Sequence, residues 1–162
     1  MADTTGGAAA RRTERLELRV PTSRTQLPAV RAMTGDLAMR MDFDLDAVED
    51  LRLAVDEASA TLASVALPDA PLVTVFETGP TGLTIHAWVA TAEGTDVPRD
   101  GFGWAVIAAL VDSVDAGAAT QAEVPAGDGS TSAVASITLT KELPAALRPA
   151  TGGGGSDLSV AR

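Results

Sequence analysis

Hydrophobic and polar residues alternate over Arg15–Val20, RLELRV, with Leu16, Leu18 and Val20 on one side and charges on the other. A period of two with a single apolar side predicts a strand that buries one face. From Thr25 to Met41 the period lengthens to that of a helix, with Leu27, Val30, Thr34, Leu37 and Met41 on one stripe. Pro28 is tolerable there because it lies in the first turn, where its missing N–H has no helical partner to lose. A second helix opens in DFDLDAVED. Asp44 is spaced to cap its first N–H groups, and Phe43 and Val48 stand as a hydrophobic staple would. Its apolar stripe runs Val48, Leu51, Val55, Ala58, Leu62, Val65, and LPDAP ends it.

Two strands follow, LVTVFE and GLTIHAWVA, joined by the turn-forming TGPTG. In the second, Leu83, Ile85, Ala87 and Val89 share one face and Thr84, His86 and Trp88 the other. GWAVIAALVDSVD predicts a third helix, and ATQAEV and AVASITLTK predict two closing strands. The order β-α-α-β-β-α-β-β, with clean alternation in the strands, implies an antiparallel or mixed sheet covered by helices on one side. The fold class expected is therefore α+β, a two-layer sandwich. Trp88 is either an exposed contact residue on the face away from the helices or part of the core, and His86 reads as a polar sheet residue.

Composition narrows the chemistry. Of 162 residues, 46% are apolar but only five are Phe or Trp and none is Tyr, so the core must be aliphatic. The absence of cysteine removes disulfides, thiolate metal sites and a cysteine nucleophile, and a single histidine argues against a multi-histidine metal centre. A net charge of −10 argues against direct binding of nucleic acid, which needs clustered Lys and Arg. It is compatible with a basic protein as partner. No run approaches the ~20 apolar residues of a membrane span, and the N-terminus has no apolar signal core, so a cytoplasmic protein is expected. One domain is expected over residues 14–143, with tails at 1–13 and 144–162. The second tail contains GGGGS, either native low complexity or an appended linker.

The stretch with the most chemical content is AVDEASATLASVA, Ala54–Ala66, where the helix that should anchor the core carries adjacent carboxylates, Asp56 and Glu57, and Thr61 one turn later. Taken alone, the pair fits the solvent side of an amphipathic helix. Taken with its surroundings, DLRLAVDEASATLASVALPDA resembles the N-box helix of the anti-sigma-factor serine kinases, switch proteins that share the histidine-kinase-like (Bergerat-type) ATPase fold. GFGWAVIAALVDSVD resembles that family's second glycine box and following helix, with Gly101 and Gly103 at the glycine positions, and SITLTK its final strand. The wording of DLRLAVDE and ALPDA is that of the actinobacterial sigma-B/sigma-F type. The resemblance spans about Arg15 to Lys141.

The resemblance implies a protein that sequesters an alternative sigma factor and releases it to an anti-anti-sigma (STAS-domain) protein, and that pairs as a homodimer. Arg31, in LPAVRAMTG, falls where the family has an arginine that contacts both partners. Glu57 falls at the general base that activates a serine hydroxyl, and Thr61 at an asparagine that holds Mg²⁺. The family's D-x-G-x-G box, which recognises adenine, has no counterpart in HAWVATAEGTDVPRDG: Val89 or Ala90 stands at the aspartate position, and only Gly94 offers a glycine. The expectation is a degenerate nucleotide site with Glu57 vestigial and no cofactor, or Mg-ATP bound through Thr61, Gly101 and Gly103 if the kinase is active. A regulatory domain of this fold that binds no sigma factor is the remaining alternative.

Overall fold

The computed structural model describes residues 12–149. Its elements are β1 (Glu14–Pro21), α1 (Pro28–Arg40), α2 (Leu45–Val65), β2 (Pro71–Thr78), β3 (Gly82–Ala90), α3 (Phe102–Leu110), β4 (Ser113–Thr120) and β5 (Ala133–Glu142). The expected order is met element by element. The strands form one five-stranded sheet, β1-β2-β3-β5-β4, in which each pairing is antiparallel. One face carries the helices, with α2 in the middle against β2, β3 and β5, and α1 and α3 packed on its two flanks. This is the α+β two-layer sandwich.

The helix-facing side chains make one continuous core: Leu72, Phe76, Leu83, Ile85, Val89, Ile137 and Leu139 from the sheet meet Val30 of α1, Val48, Leu51, Val55 and Leu62 of α2, and Ile107 of α3. Each such side chain removed from water contributes roughly 1.5–3 kcal/mol, which is how a core almost without aromatics holds. Local chemistry sets where α2 begins. Asp44 Oδ1 accepts the Ala47 N–H at 2.8 Å, and Phe43 and Val48 are both buried beside the cap. At the other end Ala66 is extended and the Leu67 N–H donates to the Ala90 carbonyl at 2.8 Å, tying the helix exit to the end of β3.

Three boundaries differ from the sequence pattern. Helix α1 starts at Pro28 rather than Thr25, because a turn closed by Gln26 N–H to the Ser23 carbonyl at 2.9 Å occupies the preceding residues. The fixed φ of proline suits it to open a helix. The third helix stops at Leu110 instead of running through Asp115, and the next strand lies over Ser113–Thr120 instead of ATQAEV. Neighbouring groups decide this: the Lys141 ammonium donates to the Leu110 carbonyl at 2.8 Å, closing the helix, and the Asp112 N–H already pairs with the Thr140 carbonyl of β5 at 3.0 Å. Val111 and Val114 suit a strand as well as a helix. Gln121–Ala122 then pair with Ser132 and Ser130 inside the β4–β5 connection.

Trp88 resolves differently from either expectation. It lies on the sheet face away from the helices but is only 3% exposed, in a small second cluster with Val73 and Val134 beneath the β4–β5 connection. Its indole N–H donates to the Pro125 carbonyl at 2.8 Å, and the Arg19 guanidinium sits 6.0 Å from its ring centroid while donating to the Ala126 carbonyl at 2.8 Å. His86 is a sheet residue, as expected, with Nδ1 3.1 Å from the Thr138 hydroxyl. The expected tails fall mainly on residues 1–11 and 150–162, outside the described residues. Within the second, Ala145–Leu147 form a 3-10 turn and Arg148 Nε donates to the Leu143 carbonyl at 2.6 Å.

Candidate functional site on the central helix

Successive residues on a helix are 100° apart, so adjacent carboxylates on a helix with two neighbours can face different ones. Asp56 turns to α1. Its Oδ2 meets Arg31 Nη1 at 2.9 Å, with Glu49 Oε2 3.8 Å from Arg31 Nη2. Arg31 remains half exposed while bridging one turn of α1 to two turns of α2. Below it, the Arg52 guanidinium packs over Gly35 and occupies the space that a Cβ there would take.

Glu57 turns the other way, to α3. A Cβ placed on Gly103 would stand 2.8 Å from Glu57 Oε2, so the carboxylate occupies the space that this glycine leaves open at the second residue of the helix. Gly101 is the N-cap of α3, in extended conformation with open space around it. The first N–H groups of a helix carry no intrahelical partner and a partial positive charge, which favours a carboxylate nearby. Among the described residues Glu57 enters no ion pair or hydrogen bond. Thr61 follows one turn later on the same side of α2 and is half buried. Glu57, Thr61, Gly101 and Gly103 therefore gather at the α2–α3 seam, whereas Arg31 stands on the opposite flank of α2.

Magnesium takes oxygen ligands at about 2.0–2.1 Å in near-octahedral order. The seam supplies the Glu57 carboxylate and, at the position where the resemblance implies an amide, the Thr61 hydroxyl on a shorter side chain. Among the described residues no group of three or more His, Asp or Glu side chains is placed to hold a metal ion. At the position expected for an adenine-reading carboxylate, Val89 is fully buried against the helices and the Ala90 carbonyl is engaged by Leu67. The nearest aspartate along the chain, Asp96, is occupied locally. Its Oδ1 accepts the Val97 N–H at 2.7 Å and its Oδ2 meets Arg99 at 3.3 Å, contacts that hold its carboxyl below the usual carboxylate range, the Val97 N–H foremost. Two concavities among the described residues lie elsewhere, one of about 460 Å³ on the far sheet face near His86, Asp115 and Glu123, another of about 230 Å³ between Arg12, Leu37 and Arg40.

Two features escaped the sequence pattern. The Arg31–Asp56 pair joins residues 25 apart on different helices, a distance that no local periodicity reports. Lys141, the sole lysine of the chain, bridges the end of α3 to Asp50 Oδ2 at 3.4 Å. Phe102 had a readable signal, an aromatic set between two glycines, and is 86% exposed at the first position of α3.

No family model matches the chain. The proteins named anti-sigma-F factor RsbW from two strains of Mycobacterium tuberculosis are each 37% identical to it over 99 residues, which cover 61% of this chain and 59% of theirs. The chain thus spans less than two thirds of the length of the curated relatives it matches. The similarity bears out the resemblance to anti-sigma factors drawn from the N-box helix and the glycine pair.

Proposed function

We propose that this protein binds and sequesters an alternative sigma factor of the sigma-B/sigma-F type, in the cytoplasm, and gives it up when an anti-anti-sigma protein competes for an overlapping surface on α1. The observation that carries the reading is the 37% identity to anti-sigma-F factors, in a chain whose fold follows the element order that the resemblance implies. Arg31 supports it. Half exposed and held by Asp56, it presents a preorganised guanidinium, the side chain best suited to meet a partner carboxylate bidentately. Pairing with a second copy of the chain belongs to the same reading.

In this reading the nucleotide site is degenerate. The hydroxyl at Thr61, the buried Val89 and the locally engaged Asp96 speak for that, and Glu57 is then a base without a phosphoryl donor. Control would rest on the abundance or state of the antagonist. One feature favours the second reading, an active serine kinase: Glu57 stands beside the start of a glycine-led helix, where a base and phosphate-binding N–H groups belong together.

Calorimetric titration of the purified protein with Mg-ATP separates the two. No saturable heat up to millimolar nucleotide is the expected result; saturable binding abolished by Glu57→Ala would establish the kinase reading instead. Thr61→Asn alone is expected to leave ATP binding weak, since no carboxylate reads the base. Co-purification with an alternative sigma factor tests sequestration itself, and the absence of any sigma factor from the complex would sink it.

A further inference from the structure

Of the two exposed leucines of α2, Leu45 at its first residue and Leu53 further along, the second stands inside a field of acids. Leu53, 45% exposed, stands one turn before Glu57, with Asp46, Glu49, Asp50 and Asp56 on the neighbouring outward positions of the helix. Across the seam, next to the glycine that meets Glu57, Phe102 projects from the first turn of α3 with 86% of its surface in water. Nothing in the helix start requires an aromatic residue there. The cations of this region are already engaged: Arg31 with Asp56, Arg52 with Glu49, Lys141 with Asp50 and the end of α3. Three cations against the five carboxylates Asp46, Glu49, Asp50, Asp56 and Glu57 leave the face apolar at two points and net negative between them, with Asp46 and Glu57 joined to no cation among the described residues. A triphosphate approaching it would meet that surplus of carboxylates, whereas a cationic helix would find Asp46 and Glu57 as open charge partners around two apolar anchors.

We propose that this α2–α3 face docks a basic amphipathic helix of a partner protein, with Leu53 and Phe102 contacting its apolar stripe and the surrounding carboxylates its Lys and Arg side chains. An amphipathic helix laid on such a surface is read through apolar residues at i, i+3 or i+4 and i+7, and opposite charge steers the encounter. The inference deepens the sequestering function proposed above by giving the chemistry of one contact surface, distinct from Arg31, and rests on that reading only for the partner's identity.

The test titrates the full chain with a synthetic Leu/Lys peptide of about five helical turns patterned as an amphipathic helix, and with a peptide of the same composition patterned to alternate. Expected are saturable binding of the first, binding weakened about tenfold or more by the double substitution Leu53→Ser with Phe102→Ser, and no change with Leu147→Ser, another exposed leucine. Because both replaced side chains are exposed, the variant should keep its fold. Should it not, amide shift mapping on the unaltered protein decides, by a continuous patch over the outer side of α2 and the start of α3. Equal binding of both peptides, an unaffected double variant, or shifts centred on another face would each overturn the proposal. If a sigma factor binds through Arg31 while the peptide ignores this face, the inference fails and the function stands. If the peptide docks here and no sigma factor binds, the reverse holds.

Discussion

Asp56 and Glu57 are chemically similar neighbours, and the two flanks of α2 treat them differently. On the α1 flank the carboxylate meets a guanidinium at 2.9 Å and the pair stays half in water. On the α3 flank the carboxylate meets a helix start and a glycine, with no cation joined to it among the described residues. The first arrangement orients a half-exposed guanidinium at little energetic consequence to the fold, since exposed ion pairs contribute about 0–1 kcal/mol. The second keeps an acid unneutralised at the α2–α3 seam, with the Thr61 hydroxyl one turn further along α2. One side of the helix thus joins its carboxylate to a half-exposed cation, and the other leaves its carboxylate unpaired beside a helix start.

That contrast can be broken most sharply at Arg31. Arg31→Ala is expected to weaken binding of the proposed sigma-factor partner by about 2 kcal/mol or more, as a hot-spot arginine does, while lowering stability by less than about 1 kcal/mol; equal affinity by calorimetry would remove the α1 flank from the interface. Next in size is Lys141→Met, which takes a donor from the Leu110 carbonyl and leaves Asp50 without its cation. A loss of about 1–3 kcal/mol is expected in urea unfolding. A smaller loss would mean that packing alone sets where α3 ends.

The α3 flank is sharpened by a double-mutant cycle. Gly103→Ala gains up to about 1 kcal/mol of helix propensity but pushes its methyl against Glu57 Oε2, so its net effect in the unaltered protein should be near zero. In a Glu57→Ala background the same change should stabilise by close to the full amount, and equal effects in both backgrounds would show that the carboxylate does not occupy the glycine's space. The smallest effect concerns the β4–β5 connection over Trp88. Glu123, bonded chiefly by the Thr120 hydroxyl, and Asp128, bonded chiefly by the Ser130 side chain, are held below their ordinary values. Their contributions are therefore complete above the unfolded carboxylate values and fade as pH falls through the lowered folded ones. Amide exchange in residues 121–132 should quicken across that acid window before the sheet core responds.

Much of this architecture was legible because it is encoded by period and cap. The strand alternation in Leu83, Ile85, Ala87, Val89, the stripe of α2 and the Asp44 cap are local signals, and all three hold. The break at Leu110–Ser113 was not legible, because WAVIAALVDSVD is apolar at spacings that suit either element. The choice falls to the Thr140 carbonyl, 28 residues beyond Asp112, and the Lys141 ammonium, 31 beyond Leu110. Trp88 misled for a related reason: alternation correctly put it on the far face, but the cover over that face comes from Pro125 and Ala126 in a stretch without periodicity.

By itself, then, the sequence determined the element order, the side of each strand that meets the helices, and the resemblance of the Glu57 helix, since these follow from residue spacing within single elements. Only the tertiary structure decided that Asp56 belongs to Arg31 and Glu57 to Gly103, that Phe102 stands in water, and that Lys141 closes the end of α3. Those outcomes depend on which helix lies on which flank of α2, and that is set by burial of the aliphatic core rather than by any pattern that the charged residues themselves carry.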